Sequence, residues 1–269
     1  SKLKLDETQG ISFEHIQEAI HRCHACGVKA LFSMNAFLYE GALSQAKQQL
    51  TWLVEMGADG IYFADEALLS FAQELRISDR MIYQPDTLLT NHMDVNYYLK
   101  EGVQAVVLSK EITLQEIISI AKNSDAKRIE VIGHGHVVMM HSRRPLLSSY
   151  MEFIGKDLDL RDKHDLYLME DTREDRLPIM EDAAGTHIFS AYVLNSFLQM
   201  KAFMEADIAV MRLDGIFHTS EELMMALALY DEIRKGKLDG MQAFKAYQSR
   251  FSHLPLGSGF YDQATGVRK

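Results

Sequence analysis

Cysteine is almost missing from this chain, with two residues in 269, Cys23 and Cys26. A bridge across so short a step closes almost no loop, which excludes a disulfide-stapled secreted scaffold and makes the cytoplasm the expected compartment. Proline is scarce (4) and the 16 glycines are scattered. No low-complexity linker marks a boundary, so residues 1–269 read as a single domain. No stretch approaches the ~18 uninterrupted apolar residues of a membrane span. The opening SKLKLDETQG also lacks the apolar centre of a secretory signal. Positive charge is in deficit, because 28 Lys and Arg against 38 Asp and Glu give 28 − 38 = −10. That balance disfavours tight unaided binding to nucleic acid, which depends on a basic field and on counterion release.

The chain does have 47% hydrophobic and 25% charged residues, an ordinary globular composition that excludes disordered and fibrous classes. Its organisation shows in a repeated register, an amphipathic helix ending at glycine and followed by a short apolar run. Phe13–Cys26 stops at Gly27 before Val28–Met34, Leu43–Met56 at Gly57 before Gly60–Ala64, and Val95–Glu101 at Gly102 before Val103–Leu108. Ala206 holds the equivalent place before Asp207–Leu213. Glycine beyond the last turn accepts the left-handed conformation that closes a helix. With Met81–Tyr83 and Arg128–Ile132 as further strands, the alternation predicts an α/β fold with parallel crossovers. No G-x-G-x-x-G follows the first strand, so a TIM-like (β/α) barrel is favoured over a dinucleotide-binding sheet. Leu166–Met169 and Leu177–Met180 flank the charged turn EDTREDR and read as a β-hairpin insertion near residues 157–189. The first element is a helix and only six repeating strands are counted, so a leading β/α segment is expected to be missing or the barrel incomplete.

Active sites of such barrels sit where strands end. The candidate polar groups there are His134, His136, His141, Arg143, Arg144 and Ser148 after the fifth strand, Glu181 and Asp182 with His187, Arg212 and Asp214 on the last strand, and Asp86, Thr90 and Asn91 after Met81–Tyr83. His134, Glu181 and Asp182 are the candidates for acid–base chemistry. Arg143, Arg144, Asp86, Asn91, Arg212 and Asp214 are the candidates for holding an anionic substrate. His134 and His136 at i and i+2 share a strand face and could, with His141, ligate a metal, but with no clear carboxylate partner they also read as packed histidines and no metal is expected. Asp182 also reads as a turn cap with Gly185 supplying the bend, and Asn91 as a helix cap. Arg212 and Asp214 either face the barrel mouth or pair with each other. Cys23 and Cys26 have redox spacing but sit at a helix end, where no helix-start field lowers a thiol pKa.

These strand-end motifs resemble peptidase family U32, the collagenase-like proteins. The matching stretches are E-V-I-G-H-G at Glu130–Gly135, L-P-I-M-E-D-A-A-G-T-H-I at Leu177–Ile188, V-L-S-K-E-I-T at Val107–Thr113 and R-L-D-G at Arg212–Gly215, in consistent order from about Ile11 to Arg234. The resemblance implies a barrel-type α/β fold and, in cysteine-bearing relatives, an iron–sulfur cluster. Here Val138 and Pro145 stand at the first two family cysteine positions and Asp157–Asp165 has none, so no cluster is expected in this chain. D-T-L-L-T-N at Asp86–Asn91 and H-S-R-R at His141–Arg144 look most like the short, cysteine-poor paralogue that accompanies a cysteine-bearing member in many Gram-positive bacteria. That pair is implicated in 5-hydroxylation of the tRNA wobble uridine using prephenate. The resemblance therefore implies an accessory subunit that works with a cysteine-bearing homologue, meets tRNA through the complex and has no membrane role. The family name supplies the alternative, a peptidase, metal-dependent through His134, His136 and Glu181. A third possibility is a non-catalytic barrel whose arginines bind a small anion.

Overall fold

The computed structural model describes residues 13–169, 171 and 175–263. SKLKLDETQG and Ile11 lie outside them, as does most of the tip of the EDTREDR turn. Two compact units divide the described chain. One runs to Val131 and takes in Ala206–Val210, and the other comprises Ile132–Glu205 and the residues from Met211 onward. No described helix is long and apolar enough to cross a membrane.

The first unit follows the expected alternation. Its elements are α1 (Phe13–Ala25), β1 (Leu31–Ser33), α2 (Leu43–Glu55), β2 (Gly60–Phe63), α3 (Glu66–Leu75), β3 (Met81–Tyr83), α4 (His92–Lys100), β4 (Ala105–Val107), α5 (Leu114–Lys122) and the start of β5 (Ile129–Gly135). Strands β1 to β5 pair in chain order, all parallel. Helices on such a sheet need one apolar stripe, and α2 buries Ala46, Leu50 and Leu53 at i, i+4 and i+7. Every residue of β2 and β3 is buried, as the continuous apolar runs require. Gly27, Gly57 and Gly102 all have positive φ after their helices. After α7 (Met200–Glu205) that conformation falls on Asp207 (φ 57°) instead of Ala206, because the short polar side chain of Asp tolerates it better than Ala does.

The second unit departs from the expected pattern. Besides the end of β5 it holds β6 (Val138–Ser142), α6 (Leu146–Phe153), β7 (Tyr167–Met169), β8 (Arg176–Asp182), β9 (Gly185–Phe189), β10 (Val193–Asn195), most of β11 (Val210–Leu213), α8 (Ser220–Arg234), α9 (Gly240–Arg250) and β12 (Leu256–Gly257). The expected hairpin is present as β7 and β8, but it is half of a four-stranded antiparallel sheet ordered β6-β9-β8-β7. The sequence hid β6 because Met139, Met140 and His141 are all exposed, which erases the period-2 alternation. β10 runs antiparallel to β5 (Leu194↔Gly135, Asn195↔His134), where an all-parallel barrel has a parallel neighbour. The fold is therefore mixed α/β. The core of this unit gathers Phe197, Ala226, Tyr230, Ala243, Tyr247 and Phe251 beneath α8 and α9. Each fully buried large side chain there stabilises the unit by roughly 1.5–3 kcal/mol.

Candidate functional site

Two of the strand-end motifs meet at the end of β5. Gly135 has φ +116°, and a Cβ there would lie 2.4 Å from the Asp214 carbonyl oxygen. Only glycine permits that approach. It brings R-L-D-G against E-V-I-G-H-G, with the Asp214 amide donating to His134 O (2.8 Å). Arg212 and Asp214 do pair, Nη2 to Oδ2 at 3.6 Å and half-buried, and Asp214 Oδ1 also accepts from the Ile216 amide (3.0 Å).

Three imidazoles lie behind this edge. His134 is fully buried, and its Nδ1 is 3.3 Å from Tyr230 Oη. That hydroxyl accepts from Ser196 N (2.9 Å) and is within donor reach of Gly133 O (3.2 Å); with its proton directed there, His134 Nδ1–H is the donor and Nε2 carries the lone pair. His136 Nδ1 donates to the Ser190 carbonyl (2.8 Å), again leaving Nε2 unprotonated. His218 Nδ1 lies 3.4 Å from Glu222 Oε2, an ion-pair distance without hydrogen-bond alignment. The His218 ring centroid is 5.7 Å from that of His134 and 5.6 Å from that of His136. Burial pushes His134 down to about 3, with His218 and His136 adding to it. Burial also lowers His136 against the pull of the Ser190 carbonyl, and lowers His218 against Glu222. Burial acts to raise Glu222, but the Thr219 hydrogen bonds, with His253 and His218, hold it below the usual range. The residue that delivers His218 is Phe217, whose φ of +61° is unusual for a bulky side chain and stores roughly 1–3 kcal/mol of strain. Its ring packs edge-on to His136 (5.8 Å) and Phe189 (4.9 Å).

His134, the candidate base read from the sequence, is fully buried. The group suited to accept a proton is His136, half-buried, neutral near pH 7, with its tautomer fixed by Ser190. His218, Glu222, Tyr230, Tyr247 and Phe217 escaped the sequence reading. The visible signal was His218 three residues after R-L-D-G, just ahead of the T-S-E-E capping box that seats Glu222.

Glu181 belongs to a different arrangement. It is fully buried, and its carboxylate accepts from the amides of Leu147 (2.8 Å) and Ser148 (3.2 Å) and from Ser148 Oγ. The Thr186 hydroxyl is within donor reach of both Arg144 O (2.9 Å) and Glu181 Oε2 (3.3 Å). Glu181 thus neutralises the first turn of α6, where a negative charge is favoured. The metal set His134, His136 and Glu181 is not assembled. His141 leaves its proposed partners too, since its Nδ1 lies 3.1 Å from His187 Nδ1 with the rings stacked at 4.6 Å. His187 Nε2 is 3.2 Å from Asp182 Oδ1, which makes a carboxylate–imidazole–imidazole chain ending at an exposed ring. Asp182 also caps its turn, accepting from Ala184 N (2.6 Å). Among the described residues no group of three or more His, Cys, Asp or Glu could hold a metal ion.

Arg143 and Arg144 are exposed at the exit of β6. Asp86 and Asn91 lie in the first unit. Asp86 is exposed and its charge raises Lys110, against the stronger lowering by burial. Asn91 caps α4, accepting from Met93 N (3.0 Å) and Asp94 N (3.1 Å), so its side-chain oxygen serves the helix. Cys23 and Cys26 are free thiols at the end of α1.

Comparison with known proteins matches residues 6–269 to the profile described as peptidase family U32. A Bacillus subtilis (strain 168) protein named tRNA hydroxylation protein P2 is 29% identical over 224 residues, 82% of this chain and 72% of that one. Escherichia coli (strain K12) tRNA hydroxylation protein P is 29% identical over 138 residues, 51% of this chain and 30% of that one. A Methanocaldococcus jannaschii protein described as an uncharacterized protease is 23% identical over 262 residues, covering 92% of this chain and 62% of its own. A solved U32 peptidase structure aligns over 77% of this chain and 78% of its own with a TM-score of 0.44 and 13% identity.

Proposed function

Because the chain belongs to peptidase family U32, we propose that it is the accessory subunit of a tRNA-hydroxylating pair, acting with a cysteine-bearing homologue on the wobble uridine. The observation that carries this reading is the similarity over 82% of the chain to tRNA hydroxylation protein P2, in a sequence whose only cysteines are Cys23 and Cys26. The iron–sulfur cluster of cysteine-bearing relatives does not fit here. Val138 pairs with Phe189 in β6 and Pro145 precedes α6, and neither side chain offers a ligand atom. The redox centre belongs to the partner in this reading, and no step runs through such a group in this chain.

What this chain contributes is an anion-holding, proton-accepting edge. Arg212, Arg143 and Arg144 supply positive charge for a carboxylate or phosphate, and His136 Nε2 accepts a proton. A partner surface is supported by large apolar side chains left in water around β6, α6 and β7. Met140 is 57%, Tyr150 55%, Phe153 86%, Tyr167 54% and Met169 59% exposed, a concentration typical of protein interfaces. A tRNA substrate would be met in the cytoplasm. The acidic charge of −10 favours tRNA binding through the partner.

Affinity copurification from the native host tests this. The expected eluate contains a cysteine-bearing homologue and brown iron–sulfur absorbance, and deleting the chain removes the hydroxylated wobble nucleoside. Phe153→Glu should weaken copurification at least tenfold without moving the melting temperature. A colourless, solitary protein with unchanged nucleosides would refute the proposal, and gelatin cleavage by that protein would favour the peptidase reading.

A further inference from the structure

Buried polar side-chain atoms are nearly always paired, and each exception points to something that pairs with it. Among the described residues seven such atoms have no hydrogen-bond partner, and four of them belong to His134 (Nε2), His218 (Nδ1 and Nε2) and Tyr247 (Oη). All three side chains are fully buried. The rings are neighbours, His134 lying 5.7 Å from His218 and 5.2 Å, edge-on, from Tyr247. Aromatic and aliphatic side chains, among them Phe197, Tyr230 and Phe251, pack beside them.

The hydrogen-bond inventory of this cluster is specific. When Tyr230 directs its proton to Gly133 O, His134 is protonated on Nδ1 and its Nε2 is an acceptor. Glu222 Oε2 lies 3.4 Å from His218 Nδ1, and with the proton on Nδ1 the Nε2 atom is a second acceptor. Tyr247 Oη brings one donor. A molecule with two O–H donors and one open lone pair satisfies all three, and that is the inventory of water. Two imidazole Nε2 atoms each about 2.8 Å from one oxygen put their ring centroids about 6.4 Å apart at a tetrahedral angle and about 5.7 Å apart at an angle near 90°, so the observed 5.7 Å admits a shared oxygen at the narrower angle.

We propose that His134, His218 and Tyr247 form a binding site for one ordered water molecule. This water completes a polar line from the protein surface to the core, in which Glu222 and His218 meet at ion-pair distance. The line starts at His253, two-thirds exposed, whose Nε2 is 3.1 Å from Glu222 Oε1. It continues through Glu222 and His218 to the water, His134 and Tyr230. His136, the half-buried base at the end of β5, lies against His218, so the line fixes the imidazole behind it. Buried waters of this kind make about three hydrogen bonds and are part of the structure. The site is independent of whether the chain acts on tRNA.

Long-range proton–nitrogen NMR of the histidines in the full chain, combined with water-NOE measurements, tests the site. The expected result is that both His134 and His218 carry their proton on Nδ1 and show a contact to a slowly exchanging water. In Tyr247→Phe that contact should disappear while the His136 signal keeps its tautomer. The tautomers are read on the wild-type chain, so the test survives if the variant folds poorly. No water contact in the wild type, or a proton on Nε2 of either imidazole, overturns the proposal. So does one equivalent of transition metal in the purified chain that is lost in His218→Gln.

Discussion

Replacing Glu181 separates the two roles its sequence position allows. In Glu181→Ala the amides of Leu147 and Ser148 and the Ser148 hydroxyl lose their carboxylate, and the side chain that filled a fully buried position is gone. Hydrogen bonds to a charged group contribute about 1.5–3 kcal/mol each, and the first turn of α6 is exposed enough for water to recover part of that. Taking two backbone bonds at the lower figure gives a loss of about 3 kcal/mol. Glu181→Gln keeps the shape and one acceptor oxygen but loses the charge and turns an amide donor toward the helix start, for a loss of about 1–2 kcal/mol. Urea unfolding followed by circular dichroism measures both, and with a slope of about 1–3 kcal/mol per molar the Ala midpoint falls by 1 M or more. An Ala variant within about 0.5 kcal/mol of wild type that has nonetheless lost its activity would refute this reasoning and return Glu181 to the catalytic role that L-P-I-M-E-D suggests.

Acid should destabilise the protein through its buried histidines. His134 falls from 6.5 to about 3 on folding, so between those values the unfolded chain binds a proton that the folded chain does not. Stability is therefore flat above about pH 6.5 and declines below it, by up to about 1.4 kcal/mol per pH unit per histidine, with His136 and His218 lowered in the same direction. Urea melts from pH 7.5 to 5 check the slope, and His134→Gln should make it shallower. Gly185→Ala should fail to give soluble protein, because φ is +127° and the new Cβ would lie 2.0 Å from Ser142 O. Soluble expression with a wild-type melting temperature would show that the β6–β9 pairing is looser than these distances.

The sequence by itself determined the α/β alternation, the helix ends at Gly27, Gly57 and Gly102, and β3 to the residue, because each rests on local chemistry: periodicity, chirality and backbone sterics. It also determined the caps at Asn91 and Asp182, since a short polar side chain reaches its own next amides. Family membership was readable as well, from the order of four strand-end motifs. Only the tertiary structure decided what Glu181 binds, since its donors come from α6 some 33 and 34 residues away. The same holds for the pairing of His141 with His187 across β6 and β9, which separates it from His134 and His136. The reversed direction of β10 and the convergence of His218 and Tyr247 on His134 also depend on contacts between residues 59 to 113 apart. Nothing in a local pattern encodes which distant partner a buried proton will find.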